Sequence, residues 1–327
     1  MRFRPLAGAT GPQVSDLCLG IMYFGTTVDE ETSFAILDRF AEAGGTFLDT
    51  ANNYPCWLDG STGDEAELAL GRWLDSRRAR DRMVIATKVG ARPDPARGTR
   101  WISDDGDLGN AEGLAAKTIR QGLESSLRRL GTDRLDLYYA HIEDRRVPLD
   151  ETVGAFAELV AEGAVGTLGV SNHATWRIAE ARRLAAERGL PGYQVVQQKH
   201  TYLKPHQGAH FGCQRHVDDE LLDYAGTQDD LTVLGYSTLM AGAYTRDDKP
   251  LLAQYAHDGS PARLRTLREV ADQTGATPNQ VVLAWLLGGT VPVLPVIAVS
   301  SVAQLEELLP AAELDLAPEL RARLDAA

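Results

Sequence analysis

The feature that most constrains the fold is a regular alternation of two kinds of segment along the whole chain. Short apolar runs rich in β-branched and aromatic residues predict eight strands. These strands lie at residues 16–20, 46–51, 83–89, 135–141, 166–171, 194–198, 231–237 and 293–298. Stretches with helical spacing separate them, as in residues 29–45, where Phe34, Leu37 and Phe40 recur three residues apart. Eight strands that alternate with helices predict a parallel α/β structure, and a closed (β/α)8 TIM barrel fits better than an open doubly wound sheet.

The length of the chain agrees with one such barrel. Its 327 residues exceed an average domain, but α/β barrels of more than about 200 residues are common single units. No stretch in the middle has the composition of a linker or a low-complexity segment. We therefore predict a single domain over residues 1–327. The sequence GATG at residues 8–11 further predicts an N-terminal β-hairpin ahead of the first barrel strand.

The charge balance argues against two classes of partner. The chain has 33 Lys and Arg residues against 46 Asp and Glu residues, a net charge of −13 at pH 7. Such a chain is repelled by the phosphates of nucleic acids and by anionic membrane surfaces. We therefore expect a small-molecule partner rather than nucleic acid or a membrane, and the sequence leaves the oligomeric state open.

Residues 281–299 are uncharged and long enough to span a bilayer. Glycine at 288 and 289 and proline at 292 and 295 interrupt this stretch, so we predict the end of a helix, a turn and a buried strand instead. The N-terminus shows no apolar run of a secretory signal. Cys18, Cys56 and Cys213 are too few and too widely spaced for a disulfide scaffold. We expect a cytoplasmic protein.

Three unusually long, polar connections each follow a predicted strand, at residues 54–64, 91–110 and 200–219. In a (β/α)8 barrel the loops after the strands form the active site, so the extra length falls on the functional face. Trp57 and Trp101 lie in two of these loops. They are either pocket aromatics or loop anchors, and the sequence favours neither.

Four polar side chains occur at or just beyond the ends of three successive strands: Asp49, Tyr54, Lys88 and His141. Taken singly, Asp49 is explained as a turn cap, Lys88 as a surface lysine and His141 as a hydrogen-bonded core histidine. Together they form an acid–base device. A lysine ammonium lowers the pKa of a neighbouring phenol, a buried ammonium needs a carboxylate, and a histidine can orient a substrate oxygen. Such a device can protonate a carbonyl oxygen during hydride attack, but no side chain supplies the hydride.

The chain resembles the aldo-keto reductase family over essentially its full length. The motifs that carry the resemblance occur in the family's order. They are LGIMYFG (19–25), DTANNY (49–54), TKVG (87–90), YYAHIED (138–144), GVSNH (169–173), VVQ (195–197), GYSTLMAG (235–242) and QLEEL (304–308). The resemblance implies the family's barrel, its catalytic quartet on Asp49, Tyr54, Lys88 and His141, and an extended NAD or NADP molecule across the barrel mouth. In agreement, the sequence has no G-x-G-x-x-G motif.

The resemblance also implies cofactor and substrate positions. Motif matching assigns the nicotinamide end to Gly20, Ile21, Met22 and Asp49, and its carboxamide to Ser171, Asn172 and Gln197. It assigns the pyrophosphate to Tyr236, Ser237, Leu239 and Gly242, and the adenosine end to Ala298, Gln304, Glu307 and Leu308. The substrate pocket is assigned to Tyr23, Trp57, Trp101 and His200. His200 stands where the family commonly stacks an aromatic ring on the nicotinamide, and the sequence leaves open whether His200 or Tyr202 faces that ring.

The adenosine segment departs from the family pattern. Residues 298–308 contain no lysine or arginine, and Leu308 stands where an asparagine is common. The 2′-phosphate of NADP is normally bound by a lysine or arginine side chain, so the absence of both residue types here slightly favours NAD over NADP. Glu306 or Glu307 would then accept a hydrogen bond from a ribose hydroxyl.

A second cluster of polar residues lies in the third long loop. His200, His206, His210, Cys213 and His216 have a spacing that resembles a zinc site. No second paired motif completes such a site, and the family chemistry needs no metal. We predict a polar loop and no metal.

Two alternatives to a nicotinamide-dependent oxidoreductase stay open. The barrel can serve as a regulatory nicotinamide-binding subunit with little turnover. Alternatively, Lys88 can form a Schiff base in a lyase or isomerase, which leaves Tyr54 and the cofactor segments unexplained. We expect an aldo-keto reductase that interconverts a carbonyl (an aldehyde, ketone or sugar) and its alcohol, with Tyr54 as general acid and base.

Overall fold

The structure is a computed structural model that describes residues 1–94, 96, 109–246 and 248–327. It begins with two short antiparallel strands, β1 (Phe3–Pro5) and β2 (Gln13–Ser15), as the sequence predicts. Eight parallel strands then close into a barrel in the order β10-β3-β4-β5-β6-β7-β8-β9. The (β/α)8 barrel with an N-terminal hairpin is confirmed.

The barrel strands agree with their predicted positions to within two residues at either end. They are β3 (Cys18–Gly20), β4 (Phe47–Asp49), β5 (Val84–Val89), β6 (Leu135–Ala140), β7 (Val165–Ser171), β8 (Val195–Lys199), β9 (Thr232–Tyr236) and β10 (Val293–Ile297). The barrel closes where Val296 and Ile297 pair with Cys18 and Leu19.

Ten α-helices fall within the described ranges. They are α1 (Glu30–Glu42), α2 (Glu65–Arg77), α3 (Ala116–Leu130), α4 (Leu149–Ala161), α5 (Thr175–Glu187), α6 (Asp219–Gly226), α7 (Ser260–Thr274), α8 (Pro278–Leu287), α9 (Val302–Leu308) and α10 (Pro318–Ala326). Side-chain caps begin four of them, namely α1, α6, α8 and α9. The Asp29 carboxylate caps α1, and Thr277 and Gln280 form a capping box ahead of α8.

The uncharged stretch at 281–299 is the end of α8, a turn and the buried strand β10, as predicted. No helix in the described ranges combines the length and the apolar character that crossing a membrane requires.

Alternation along the strands divides the apolar side chains between two layers. In β8, Val195 points into the barrel, whereas Val196 packs toward the surrounding helices. The interior layer also contains Leu6 and Val14 of the N-terminal hairpin, both fully buried. The hairpin therefore plugs the end of the barrel at which the strands begin.

One glycine creates space inside the barrel. A Cβ atom at Gly169 on β7 would lie 2.3 Å from ring carbon Cδ1 of Tyr139 on β6. Since that distance is far below van der Waals contact, only glycine leaves room for the Tyr139 ring. The interior near the ends of the strands is therefore filled by an aromatic ring from β6 rather than by a side chain from β7.

Candidate active site

The four predicted catalytic residues meet at one end of the barrel. Asp49 is the last residue of β4, Lys88 lies near the end of β5, and His141 directly follows β6. Tyr54 lies in the loop after β4. Because parallel strands end on the same side, side chains far apart in sequence come together there.

Lys88 and Asp49 form a buried ion pair between β5 and β4. The Lys88 Nζ also donates a hydrogen bond of 2.7 Å to the carbonyl oxygen of Thr50. The second carboxylate oxygen of Asp49 accepts a bond of 2.9 Å from Nε2 of Gln197. Both charges are therefore paired and further hydrogen-bonded, which is the condition under which a buried ion pair is tolerated.

Tyr54 and His141 are hydrogen-bond neighbours. The Tyr54 Oη lies 3.3 Å from His141 Nε2. Burial, and then the charge of Lys88, lower the pKa of His141 well below its usual value. The imidazole is therefore neutral near pH 7, and its Nε2 can exchange a proton with the phenol or hydrogen-bond a substrate oxygen. Its Nδ1 has no hydrogen-bond partner among the described residues.

The pKa of Tyr54 differs from the value that the sequence suggests. Burial raises it most, the charge of Lys88 lowers it as predicted, and the charge of Asp49 raises it again. The net pKa of Tyr54 is raised, because the effect of burial is larger than the effect of the Lys88 charge. The prediction from the sequence that Lys88 lowers the pKa of Tyr54 below its usual value is therefore wrong for this structure. The phenol is thus protonated at neutral pH and able to donate.

Asn172 connects His141 to the neighbouring strands. Its Nδ2 donates to the His141 carbonyl oxygen at 3.0 Å and to Ser171 Oγ at 3.1 Å. Its Oδ1 accepts from the Tyr236 hydroxyl at 2.8 Å. The backbone of Asn172 is left-handed, with φ of 57°, a conformation that asparagine tolerates. The predicted carboxamide ligands Ser171, Asn172 and Gln197 are all buried beside the quartet.

The remaining residues assigned to the nicotinamide end, Gly20, Ile21 and Met22, differ in burial and in the direction that they face. A Cβ at Gly20 would lie 2.9 Å from Val296 Cγ1, so glycine keeps β3 close to β10. Ile21 is fully buried in the layer between barrel and helices, whereas Met22 is partly exposed. Ile21 therefore faces away from the barrel mouth.

The segment after β9 has an unusual backbone. Ser237, Met240, Ala241 and Gly242 all have positive φ values, and residues Met240–Gly242 form a short 3-10 turn that Leu239 precedes. The N–H groups of Met240 and Gly242 donate to the carbonyl oxygens of Ser237 and Leu239, so these two groups close the turn.

The adenosine segment is folded against its surroundings. The side-chain oxygen of Gln304 accepts hydrogen bonds from the backbone and side chain of Ser300, and Ala298 is exposed. The Glu307 carboxylate accepts from Thr277 Oγ1 and from Asn279 Nδ2, and Leu308 is buried in the core. The sequence assigns Glu307 and Leu308 to the cofactor, but their side chains are turned toward α8 and the core.

Glu306 is the other carboxylate assigned to the ribose. It pairs with Arg39 of α1 at 3.2 Å on the surface. Neither predicted acceptor is therefore without a partner.

Two of the predicted pocket residues join Tyr54 in one aromatic cluster. Trp57 packs edge-to-face on Tyr54, with ring centroids 5.7 Å apart, and on Tyr23 at 6.2 Å. Trp101 lies outside the described residues.

His200 does not join this cluster. Its ring stacks on Trp285 of α8, with centroids 5.5 Å apart and planes 27° from parallel. His200 follows β8 on the side of Val196 and Gln198, which faces the helices. The placement of His200 in the substrate pocket is therefore wrong for this structure.

The other histidines of the third loop are dispersed. His206 contacts the Gln207 carbonyl, His210 accepts from the Gly212 N–H, and His216 packs on Phe211 at 4.4 Å. In the part of the chain that the structure describes, no three His, Cys, Asp or Glu side chains are grouped to hold a metal ion.

Sequence reasoning missed Tyr139. This residue is fully buried on β6, and the Lys88 ammonium lies 5.7 Å from the centroid of its ring. The available signal was the period of two along a strand, because Tyr139 precedes His141 by two residues and faces the same interior.

Comparison with known proteins agrees with this geometry. The model of the aldo/keto reductase family matches residues 16–327. The chain is 34% identical to the uncharacterized oxidoreductase YrpG of Bacillus subtilis, over 96% of this chain and 92% of that protein. It is 30% identical to norsolorinic acid reductase B of Aspergillus parasiticus, over 97% of this chain and 82% of that protein. An aldo-keto reductase, ausK, of Aspergillus calidoustus is 27% identical over 97% of this chain and 80% of its own length. The barrel, the quartet at its mouth and these matches lead to one conclusion, that the chain belongs to the aldo/keto reductase family.

Proposed function

We propose that this protein is a nicotinamide-dependent oxidoreductase that interconverts a carbonyl compound and its alcohol, with Tyr54 as general acid and base. The observation that carries the proposal is the pairing of the Tyr54 phenol with a neutral His141 at 3.3 Å, above the buried Lys88–Asp49 pair. During reduction the Tyr54 hydroxyl donates its proton to the carbonyl oxygen. His141 donates a hydrogen bond that orients this oxygen, and Lys88 stabilises the phenolate that remains.

The residues at the barrel mouth fit a nicotinamide dinucleotide. Buried amide and hydroxyl groups of Ser171, Asn172 and Gln197 match the donor and acceptor edge of a carboxamide. We keep the assignment of the pyrophosphate to Tyr236, Ser237, Leu239 and Gly242 as part of the proposal. When bound, the dinucleotide supplies the hydride that no side chain can supply. Tyr236, fixed by its bond to Asn172, offers an aromatic face beside the carboxamide ligands.

The substrate is an aldehyde, ketone or sugar in this proposal. The edge-to-face cluster of Tyr23, Tyr54 and Trp57 gives the mouth an aromatic wall. Such a wall favours a flat or aromatic carbonyl compound over a small hydrophilic one. The relatives named norsolorinic acid reductases support reduction as the chemistry.

The preferred cofactor in this proposal is NAD, used at least as well as NADP. Its basis is the absence of lysine and arginine from residues 298–308. The two acidic residues first assigned to the ribose hydroxyl, Glu306 and Glu307, already have protein partners, so the preference rests on the missing cation. If NAD is favoured, the same site also serves the reverse reaction, oxidation of an alcohol or a sugar hydroxyl. The cytoplasmic location and the single domain over 1–327 stay predictions.

The decisive experiment replaces Tyr54 with Phe. We expect the Tyr54→Phe variant to lose about three orders of magnitude in kcat with 4-nitrobenzaldehyde, because the proton donor is gone. The measurement is nicotinamide absorbance with NADH and with NADPH. Cofactor binding, followed by quenching of tryptophan fluorescence, should be unchanged.

A matched control is Tyr193→Phe. Tyr193 is also a buried tyrosine, and its hydroxyl has no hydrogen-bond partner among the described residues. Its ring packs on Phe156 of α4, in the layer between the barrel and the helices. This variant should keep wild-type turnover. A Tyr54→Phe variant as active as the control would contradict the proposal, and a wild-type protein that binds the dinucleotide without turnover would indicate the regulatory subunit instead.

A further inference from the structure

The Lys88 ammonium lies over the rings of two tyrosines. Its Nζ is 5.1 Å from the centroid of the Tyr54 ring and 5.7 Å from that of Tyr139. Both distances are within the range of about 6 Å at which a cation and an aromatic face attract each other. Tyr54 has a chemical role in the proposed function, whereas Tyr139 has none so far.

Several features hold the Tyr139 ring in this place. Tyr139 lies on β6 in register with Lys88 of β5 and Gly169 of β7. The side chain is fully buried, and the missing Cβ at Gly169 provides the volume that its ring occupies. Any larger residue at 169 would meet the ring at 2.3 Å, so the position of the ring is fixed from both neighbouring strands.

The Lys88 ammonium has one carboxylate among the titratable groups that face it, so the Tyr139 ring can add to its stabilisation. Two of the three N–H groups of the ammonium are bound by Asp49 and the Thr50 carbonyl. The titratable groups that face it are Asp49, Tyr54, Cys18, His141 and Tyr139. Only Asp49 among them is a carboxylate. Burial lowers the pKa of Lys88, while the charges of Asp49 and Tyr54 raise it, and the net pKa is raised.

We propose that Tyr139 is a positioning residue, whose aromatic face holds the Lys88 ammonium charged and directed at Tyr54. This inference rests on the proposed function for Tyr54 and adds a residue to it. The electron-rich face adds attraction to a cation that, among the carboxylates of the described residues, pairs with Asp49 alone.

The ring rather than the hydroxyl of Tyr139 performs this role. The hydroxyl is fully buried, which raises the pKa of the phenol, and the nearby Gln197 side chain lowers that pKa, while Nε2 of Gln197 donates to Asp49 at 2.9 Å. Removing the hydroxyl costs little, because the Gln197–Asp49 bond is kept. The Tyr139→Phe variant keeps the ring, so it should retain far more turnover than Tyr139→Leu does.

The first test lowers the electron density on the face of the ring at position 139 and leaves the shape of the side chain nearly unchanged. Phenylalanine at position 139 is compared with its 4-fluoro, 3,5-difluoro and 3,4,5-trifluoro analogues, because each fluorine withdraws electron density from the face. Oxidation of 4-nitrobenzyl alcohol requires the Tyr54 phenolate, so its rate rises with pH through the pKa of Tyr54. When the Lys88 ammonium is held less firmly, it lowers the pKa of Tyr54 less. The rising limb of the pH–rate profile should therefore move stepwise to higher pH, by roughly half a pH unit from phenylalanine to its trifluoro analogue.

A second measurement needs no turnover. The chain has five lysines, namely Lys88, Lys117, Lys199, Lys204 and Lys249, so lysine-selective carbon-13 labelling gives a simple NMR spectrum. Ring currents from two aromatic faces should shift the Lys88 ε-protons upfield. The shift should persist in Tyr139→Phe and shrink in Tyr139→Leu and in Gly169→Ala, which displaces the ring.

The outcomes separate the two proposals. If Tyr54→Phe retains full turnover, the proposed function fails, and the NMR shift still reports whether the ring holds Lys88. If turnover depends on Tyr54 but the limb stays fixed across the fluorinated series, the role of Tyr139 is overturned. A Tyr139→Phe variant as impaired as Tyr139→Leu also overturns it, because the hydroxyl would then be the active part.

Discussion

At the scale of single residues, burial decides which charges matter. The Lys88–Asp49 pair is almost completely enclosed, whereas the Arg39–Glu306 pair is on the surface, with side chains 34% and 55% exposed. A buried charge that loses its partner keeps its cost of desolvation, but an exposed one is solvated by water. The two pairs have the same chemistry and very different importance for stability.

We expect Asp49→Asn to lower the free energy of unfolding by about 3 kcal/mol, because it leaves the Lys88 ammonium buried without a counter-ion. The measurement is urea unfolding at pH 7. The matched control Glu306→Gln should change the same quantity by less than about 1 kcal/mol. Equal losses in the two variants would show that the buried pair has no special role.

The sequence predicted which four residues meet at the barrel mouth, but it did not predict how burial and neighbouring charges combine in the pKa of Tyr54. Periodicity and motif order brought Asp49, Tyr54, Lys88 and His141 to one rim. The net pKa of Tyr54 depends on how deeply the phenol is buried, and no pattern of letters contains that depth. The position of Tyr139 was missed for a related reason, since its importance depends on a space left by Gly169 on another strand.

At the scale of elements, strands were predicted well and the segments that follow them were not. Apolar runs determine β3 to β10 to within two residues, because buried parallel strands need such runs. His200 shows the limit. It lies one residue past β8, and alternation turns it toward Trp285 and the helices, although the motif suggested a ring facing the cofactor.

The segment 298–308 around α9 gives the cofactor prediction. We expect kcat/KM with NAD to equal or exceed that with NADP, since no cation there can bind a 2′-phosphate. Steady-state kinetics with both dinucleotides measures this directly, and a preference of about a hundredfold for NADPH would rule it out. The variant Ser300→Arg, at an exposed position ahead of α9, should raise the relative use of NADPH, and Ser300→Gln is its uncharged control.

At the scale of the whole molecule, buried histidines couple stability to pH. Burial lowers the pKa of His173, His200 and His216 to about 4 in each case, and it also lowers the pKa of His141 well below its usual value. In the unfolded chain these groups titrate near 6.5, so the unfolded state binds more protons at acidic pH. Their contribution is complete above about pH 7 and is lost as the pH falls toward 4. The raised pKa of buried Glu112 acts in the opposite direction near pH 5.

We therefore expect the free energy of unfolding to fall as the pH is lowered from about 7 to 5, with a slope of about 1.4 kcal/mol per pH unit for each histidine that takes up a proton. Urea unfolding across this range measures the slope. His200→Phe, which keeps an aromatic ring against Trp285, should reduce the slope by about one proton. A slope that His200→Phe leaves unchanged would contradict this assignment.

The N-terminal hairpin has a consequence for how small molecules reach and leave the barrel. Leu6 and Val14 close the barrel at the end opposite Tyr54 and His141, and neither is reached by solvent. Among the described residues, this packing leaves the mouth of the barrel as the side from which small molecules approach Tyr54. We expect two molecules that bind there to do so in a fixed order, with the more deeply bound one binding first and leaving last.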